Sequence, residues 1–135
     1  MKTNYIAICS KQSLPKIRAF VEGELRALEV KESMTHQLVL AVDEASANSI
    51  IHQHRCDGKS RIQLTIFRKG DELHIELKDR GNPFPIHEYK PQNLKEIIKK
   101  RKQGGLGIFL ITKIMDKIEL IEKDEDFTYR FTKYL

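Results

Sequence analysis

Two short segments of alternating hydrophobicity, residues 61–67 and 73–77, place the strongest constraint on what this chain can fold into. A period of two directs apolar side chains to one face of a strand and polar side chains to the other. Gly70 and Asp71 lie between the two segments and supply the flexible turn of a hairpin. Because a hairpin makes its strands antiparallel, the sequence predicts an antiparallel sheet with one apolar face.

Two segments before this hairpin and one after it have apolar residues at helical spacing. The first helix is predicted to follow Ser13, which is expected to be its N-terminal cap. The second helix is predicted to start after Ser33 or Thr35 and to continue to about His54. The third begins beyond a glycine cluster that ends at Gly107. These helices are the elements that can cover the apolar face of the sheet.

A first strand at Asn4–Cys9 and a closing hairpin complete the pattern. The closing hairpin has strands at 118–121 and 127–134 and a turn at 123–126. The predicted order is β, α, α, β, β, loop, α, β, β, and its consecutive hairpins argue against a doubly wound parallel sheet. The expected fold is α+β, a two-layer α/β sandwich. Its mostly antiparallel mixed sheet carries the helices on one face, in a single domain over residues 1–135.

Length and composition exclude several classes of protein. At 135 residues the chain can bury a hydrophobic core without metal or disulfide support. Its longest apolar runs, 38–42 and 108–111, are far shorter than the roughly 20 residues of a membrane span, so we expect a cytoplasmic protein with no membrane partner. Cys9 and Cys56 lie far apart and are expected to be free thiols rather than zinc ligands or a disulfide framework.

Three motifs could carry chemistry, and the first lies on the second predicted helix. Glu44 and Asn48 are four residues apart, so a carboxylate and an amide project from one face of an otherwise apolar helix. His52 continues that line by one turn. Ala45 and Ala47 leave room for a ligand beside the pair. Taken alone, the pair favours a solvated polar stripe over a ligand site.

The second and third motifs lie on loops. Asp79 follows a predicted strand and precedes Gly81, so its carboxylate is expected where the sheet ends. It could accept a hydrogen bond from an exocyclic amine, or it could close an Asx turn. Gly104, Gly105, Leu106 and Gly107 precede the third helix, where backbone N–H groups and the helix dipole favour phosphate. A flexible start to the helix also explains these glycines.

In their order along the chain, the three motifs resemble the three boxes of the GHKL ATPases, which share the Bergerat fold. The matching stretches are Glu44-Ala-Ser-Ala-Asn48, Asp79-Arg-Gly81-Asn-Pro-Phe84 and the glycine cluster followed by Ile108 to Ile111. Within that superfamily the chain resembles the anti-sigma-factor serine kinases of bacterial partner-switching systems. The resemblance covers essentially the whole chain, and it implies ATP and Mg²⁺ as cofactors.

The resemblance also implies a role for each motif. Glu44 would be the general base, and Asn48 would hold Mg²⁺. Asp79 would bind the adenine amino group, and Gly81 would let the backbone pass close to the base. The cluster of Gly104, Gly105, Leu106 and Gly107 would bind the phosphates.

The same resemblance implies the remaining parts of such a kinase. Residues 85–103 would form a lid over the nucleotide. The substrate would be a serine of a STAS-domain anti-anti-sigma protein, a sigma factor would be the second partner, and the kinase would be a homodimer. Arg18, Glu22 and Arg26 on the first helix would contribute to the dimer interface or to the sigma-factor contact.

Two other functions are compatible with the same residues. A nucleotide-gated binding module would use ATP only to choose between partners and would have no kinase activity. A nucleic-acid-binding domain would use the basic run Lys95–Arg101, but that run contains no aromatic residue for base stacking. We therefore expect no direct nucleic-acid partner.

Overall fold

The computed structural model describes residues 2–81, 83 and 105–135. The lid predicted at residues 85–103 lies outside the described residues, and so does Gly104. The strands are β1 (Thr3–Ile8), β2 (Arg61–Lys69), β3 (Glu72–Arg80), β4 (Lys117–Lys123) and β5 (Asp126–Tyr134). The helices are α1 (Ser13–Ala27), α2 (Glu32–Ala47) and α3 (Gly105–Ile114), and a π-helical turn (Asn48–Gln53) follows α2 directly.

The five strands form one sheet in the order β1-β2-β3-β5-β4. Every neighbouring pair among these strands is antiparallel, so the predicted antiparallel character is confirmed and no parallel pair occurs in the described part. One row of core-facing residues crosses the whole sheet in register. It consists of Tyr5, Leu64, Leu77, Tyr129 and Leu120.

The sheet buries one face against the helices and leaves the other polar. Ile17, Val21 and Leu25 of α1 repeat every fourth residue and are fully buried in one continuous core with the sheet. On the outer face Arg130 Nε lies 2.7 Å from Glu76 Oε2, in an ion pair between directly opposed residues. The predicted two-layer sandwich is confirmed. None of the described helices is long and apolar enough to span a membrane.

Helix α1 begins without the side-chain cap expected at Ser13. Gln12 is the capping residue, its backbone is already helical, and no side chain caps the helix. Backbone bonds satisfy the first N–H groups instead, because Ser13 donates to the Ser10 carbonyl (3.0 Å) and Leu14 donates to that of Lys11 (3.2 Å). The turn that leads into α1 makes the serine cap unnecessary.

The predicted second helix is correct in position but wrong in its start and in its final turns. It begins at Glu32, and Ser33 and Thr35 lie inside it. At Asn48 the α-helix widens into the π-helical turn, and His54 N–H donates to the Ser49 carbonyl five residues back, at 3.0 Å. The wider turn exposes His52 and carries His54 towards β3.

We expect Leu77→Ala to destabilise the protein by about 2–5 kcal/mol, because Leu77 is fully buried in the middle of the sheet. The matched control is Leu40→Ala on α2, a residue that is 42% exposed, where the loss should be at most about 1 kcal/mol. Urea unfolding followed by circular dichroism measures both values. Equal losses at the two positions would contradict the described core.

Candidate functional site

The first and third sequence motifs meet where α2 packs against α3. A Cβ atom built on Gly107 would lie 2.5 Å from Glu44 Oε2 and 3.3 Å from the Glu44 Cβ atom. Any side chain at 107 would therefore displace the Glu44 carboxylate and crowd the Glu44 Cβ atom. Glycine at this position brings the Glu44 carboxylate against the first turn of α3, whose backbone N–H groups have no partner within the helix.

Burial changes the acid–base behaviour of Glu44. The side chain is half-buried at the C-terminal end of α2, and this desolvation raises the pKa of its carboxyl above the usual range. The neighbouring Asp43 carboxylate raises that pKa further, although Asp43 is itself paired with Arg18 at 2.9 Å. A carboxylate with a raised pKa is a better proton acceptor near neutral pH.

Asn48 lies one helical turn beyond Glu44, as predicted. Its backbone N–H donates to the Glu44 carbonyl, as in a regular α-helix, so the two side chains lie on one face. The π-helical turn starts at Asn48 and changes the direction of the residues after it. The Asn48 side chain is half-buried and has no hydrogen bond to any described residue. No cluster of three metal-ligating side chains occurs in the described part of the chain. A single free amide oxygen fits Mg²⁺, which often takes one or two protein ligands and the oxygens of a bound phosphate.

Asp79 lies inside strand β3, one residue before its end, and not after the strand as predicted. Its side chain is completely buried. The Oδ1 atom accepts hydrogen bonds from the Arg80 backbone N–H and from His54 Nε2, each at 2.7 Å. The Oδ2 atom is buried and has no hydrogen-bond partner among the described residues. Since buried polar atoms are almost always paired, this free acceptor fits a ligand that donates a hydrogen bond.

Gly81 takes the backbone out of β3 in a conformation that favours glycine. Its φ is +110°, a region that side chains with a Cβ atom rarely adopt. A Cβ atom there would also lie 2.7 Å from Gln53 Nε2, although this flexible side chain could move. The same Gln53 amide donates to the Arg80 carbonyl at 3.3 Å. Gly81 therefore gives the chain its turn beside the free Asp79 oxygen.

The predicted residues form two groups joined by the π-helical turn. In the first group Glu44 contacts Gly107, and Asn48 lies four residues after Glu44, where the π-helical turn begins. At the far end of that turn, His54 and Gln53 contact the end of β3 at Asp79 and Arg80. The third helix was expected to begin beyond Gly107, but the backbone of Gly105, Leu106 and Gly107 already forms the first residues of α3.

A cleft of about 460 Å³ also touches the end of β3. It is lined in part by His54, Asp79 and Gly81, but Gln63 and Lys78 in its wall lie on the outer face of the sheet. Glu44 and Asn48 do not contribute to it. We therefore define the candidate site by its polar contacts rather than by this cleft.

Sequence analysis did not assign His54 and Gln53 to the site. Both residues lie beyond the α-helical part of α2, and a regular helix would place them on other faces than Glu44 and Asn48. The π-helical turn that reorients them has no clear sequence signal. His54 lies two residues after His52, but the sequence has no HExxH motif or Cys/His cluster beside them, so this spacing did not mark His54 as a ligand.

The charged residues of α1 that the resemblance linked to partners are paired within the chain. Arg18 contacts Asp43 of α2 at 2.9 Å. Arg26 contacts Glu22 at 2.7 Å and Glu32 at 2.8 Å. All of these pairs have at least one exposed member, so they remain accessible at the surface.

Curated proteins similar to this chain are named serine-protein kinases. The serine-protein kinase RsbW of Bacillus licheniformis is 30% identical over 125 residues, which cover 88% of this chain and 76% of the relative. RsbW of Listeria monocytogenes serovar 1/2a is 33% identical over 104 residues, which cover 73% of this chain and 64% of the relative.

Two solved structures share the fold. The RsbU and RsbW domains of a Mycobacterium tuberculosis protein match all of this chain and 32% of that chain, with a TM-score of 0.71 and 14% identity. The SiaB–SiaC complex of Pseudomonas aeruginosa gives a TM-score of 0.68 and 16% identity, over 96% of this chain and 88% of that chain.

The family comparison covers nearly the whole chain. Residues 10–133 match the model of the histidine kinase-like ATPase domain. This match agrees with the antiparallel sheet, with its helices on one face, and with the relatives at 30% identity or more. The chain therefore belongs to the family of histidine kinase-like ATPase domains, which implies that it binds ATP.

Proposed function

We propose that this protein is an ATP-dependent serine-protein kinase and an anti-sigma factor of a bacterial partner-switching system. The observation that carries the proposal is the buried Asp79 Oδ2 atom, to which no described residue donates a hydrogen bond. The second group, Glu44 against Gly107, supplies a proton acceptor beside a helix N-terminus. The names of the relatives support kinase activity for the combination.

In this proposal the end of β3 binds the base of the nucleotide. The exocyclic amine of adenine donates to Asp79 Oδ2, which satisfies that oxygen. Gly81 leaves the space beside the base free of a side chain. Residues 85–103 close over the nucleotide as a lid. The whole chain, residues 1–135, acts as one ATPase-like domain.

The phosphates lie at the start of α3. Backbone N–H groups of Gly104 and of the first residues of α3, Gly105, Leu106 and Gly107, donate to phosphate oxygens, and the helix dipole favours their negative charge. Mg²⁺ would neutralise these oxygens when bound, with the Asn48 side-chain oxygen as its protein ligand.

Glu44 performs the proton transfer. Its carboxylate accepts the proton of a serine hydroxyl on the partner while the serine oxygen forms a bond to the γ-phosphorus of ATP. The bond from that phosphorus to the β–γ bridging oxygen breaks, and the electron pair leaves with ADP. The raised pKa of Glu44 suits this step, because the group must hold the proton during the transfer.

The proposed partners are a STAS-domain anti-anti-sigma protein as the substrate and a sigma factor as the sequestered protein. A structural neighbour that was solved as the SiaB–SiaC complex supports the use of this fold in a two-protein assembly. We also propose a homodimer and a cytoplasmic location, where both ATP and a sigma factor are present. The charged surface of α1, including Arg18, Glu22 and Arg26, is the proposed contact region.

We expect Asp79→Asn to weaken binding of Mg²⁺·ADP by more than about tenfold, because the buried charged acceptor is lost. Isothermal titration calorimetry measures the affinity. The matched control is Asp71→Asn in the β2–β3 turn, where the side chain is 89% exposed. Its affinity should equal that of the wild type. An unchanged affinity in Asp79→Asn would refute the assigned base site.

Glu44→Gln should keep ADP binding within about threefold but lower phosphoryl transfer by about 10²–10⁴-fold, because the proton acceptor is removed. Transfer is measured with γ-labelled ATP and a STAS-domain protein from the same genome. Glu122→Gln on the exposed edge of β4 is the matched control and should transfer phosphate normally. A wild-type protein that binds ATP but never transfers phosphate would instead favour a nucleotide-gated binding module.

The pH dependence of transfer should report the raised pKa of Glu44. The base works only when deprotonated, so the rate falls as the pH drops through the pKa of this carboxyl. Because burial and Asp43 raise that pKa, the acid limb of the kcat profile should lie above the ordinary value of 4.5. An acid limb at or below the ordinary value would contradict the assignment.

A further inference from the structure

His54 makes a close polar contact with the carboxyl group of Asp79, the group that carries the unpaired Oδ2 atom. Its Nε2 atom lies 2.7 Å from Asp79 Oδ1. The His54 side chain is 14% exposed and the Asp79 side chain is fully buried, so little water competes for this hydrogen bond. Because an ionised carboxylate can only accept, His54 donates through a protonated Nε2.

The contact belongs to a pair of bonds between the π-helical turn and the end of β3. Gln53 donates to the Arg80 carbonyl at 3.3 Å, and the next residue, His54, donates to the carboxylate of Asp79, the residue before Arg80. The bond from the His54 N–H to the Ser49 carbonyl fixes the turn that presents both side chains. Gln53, the last residue of the turn, and His54, which follows it, thus hold two consecutive residues of the strand.

These bonds leave a single acceptor open on the Asp79 carboxylate. Oδ1 already receives hydrogen bonds from His54 and from the Arg80 backbone, whereas Oδ2 receives none from the part of the chain that the structure describes. With Oδ1 anchored at two donors, the plane of the carboxylate is fixed, and the lone pairs of Oδ2 point in a fixed direction. A fixed, buried acceptor discriminates strongly between a ligand donor and a ligand acceptor.

We propose that His54 is a positioning residue that sets the base selectivity of the nucleotide site. It anchors Asp79 so that Oδ2 accepts from a 6-amino purine and opposes the carbonyl oxygen of a 6-oxo purine. The inference rests on the proposed nucleotide binding and adds the residue that makes the acceptor selective. Without the anchor, the carboxylate turns or admits water, and both purines bind with more similar affinity.

The test compares ADP with IDP, which differ at the 6-position of the purine. Affinities are measured by displacement of a fluorescent ADP analogue, with Mg²⁺ present. In His54→Phe, which keeps a ring but loses the donor, ADP should bind about tenfold more weakly while IDP changes less than about threefold. The ADP-to-IDP selectivity should therefore fall by a factor of three or more. A general loss of structure would weaken both ligands alike.

Two variants serve as controls. His54→Gln places an amide N–H close to the position of Nε2 and should keep the selectivity within about threefold of the wild type. His52→Phe changes the exposed neighbouring histidine and should leave both affinities unchanged. Unchanged selectivity in His54→Phe, or an equal loss in His54→Gln, would overturn the inference. A wild-type protein that binds neither nucleotide would overturn the proposed function as well.

A second measurement uses the wild-type chain and does not depend on whether a variant folds. In ¹⁵N-labelled histidine spectra, His54 should carry its proton on Nε2, and its signals should shift on addition of ADP. Mg²⁺·tripolyphosphate, which has no base, should leave them nearly unchanged. A proton on Nδ1 alone, or equal shifts with both ligands, would overturn the inference.

Discussion

Burial of one apolar face of an antiparallel sheet is the constraint on which the rest of this structure depends. The row from Tyr5 through Leu64 and Leu77 to Tyr129 crosses four strands in register, so a shift by one residue in any strand would turn its apolar side chains outward. Helix α2 packs against both α1 and α3 over this face. Its position then determines which of its residues can reach the ends of β3 and α3.

The candidate site lies where this packed layer ends. Glu44 is near the C-terminal end of α2, and the absence of a side chain at Gly107 lets α3 approach it closely. The π-helical turn then directs His54 to Asp79. Both contacts remove polar groups from water without fully pairing them, as the raised pKa of Glu44 and the free Asp79 oxygen show. Buried polar groups without full hydrogen bonding reduce the stability of the fold, and they are typical of ligand-binding and catalytic sites.

Local sequence signals predicted most of the fold correctly. Period-two alternation identified β2 and β3, and Gly70, with φ +59°, forms the turn between them as expected. The closing hairpin turns at residues 124 and 125, again as predicted. Two of the errors occurred where backbone hydrogen bonding replaced a side-chain signal. Ser13 is not a cap because the preceding turn supplies backbone acceptors, and the π-helical turn leaves no pattern in side-chain type.

The sequence by itself determined the pairs that depend on short spacing. Glu44 and Asn48 share a face because one helical turn separates them, and the strand that contains Asp79 leads directly to Gly81. Only the tertiary structure decided that Glu44 meets Gly107, 63 residues later, and that His54 meets Asp79, 25 residues later. Such contacts depend on how helices cross a twisted sheet and on the width of one helical turn. Local propensity encodes neither of these.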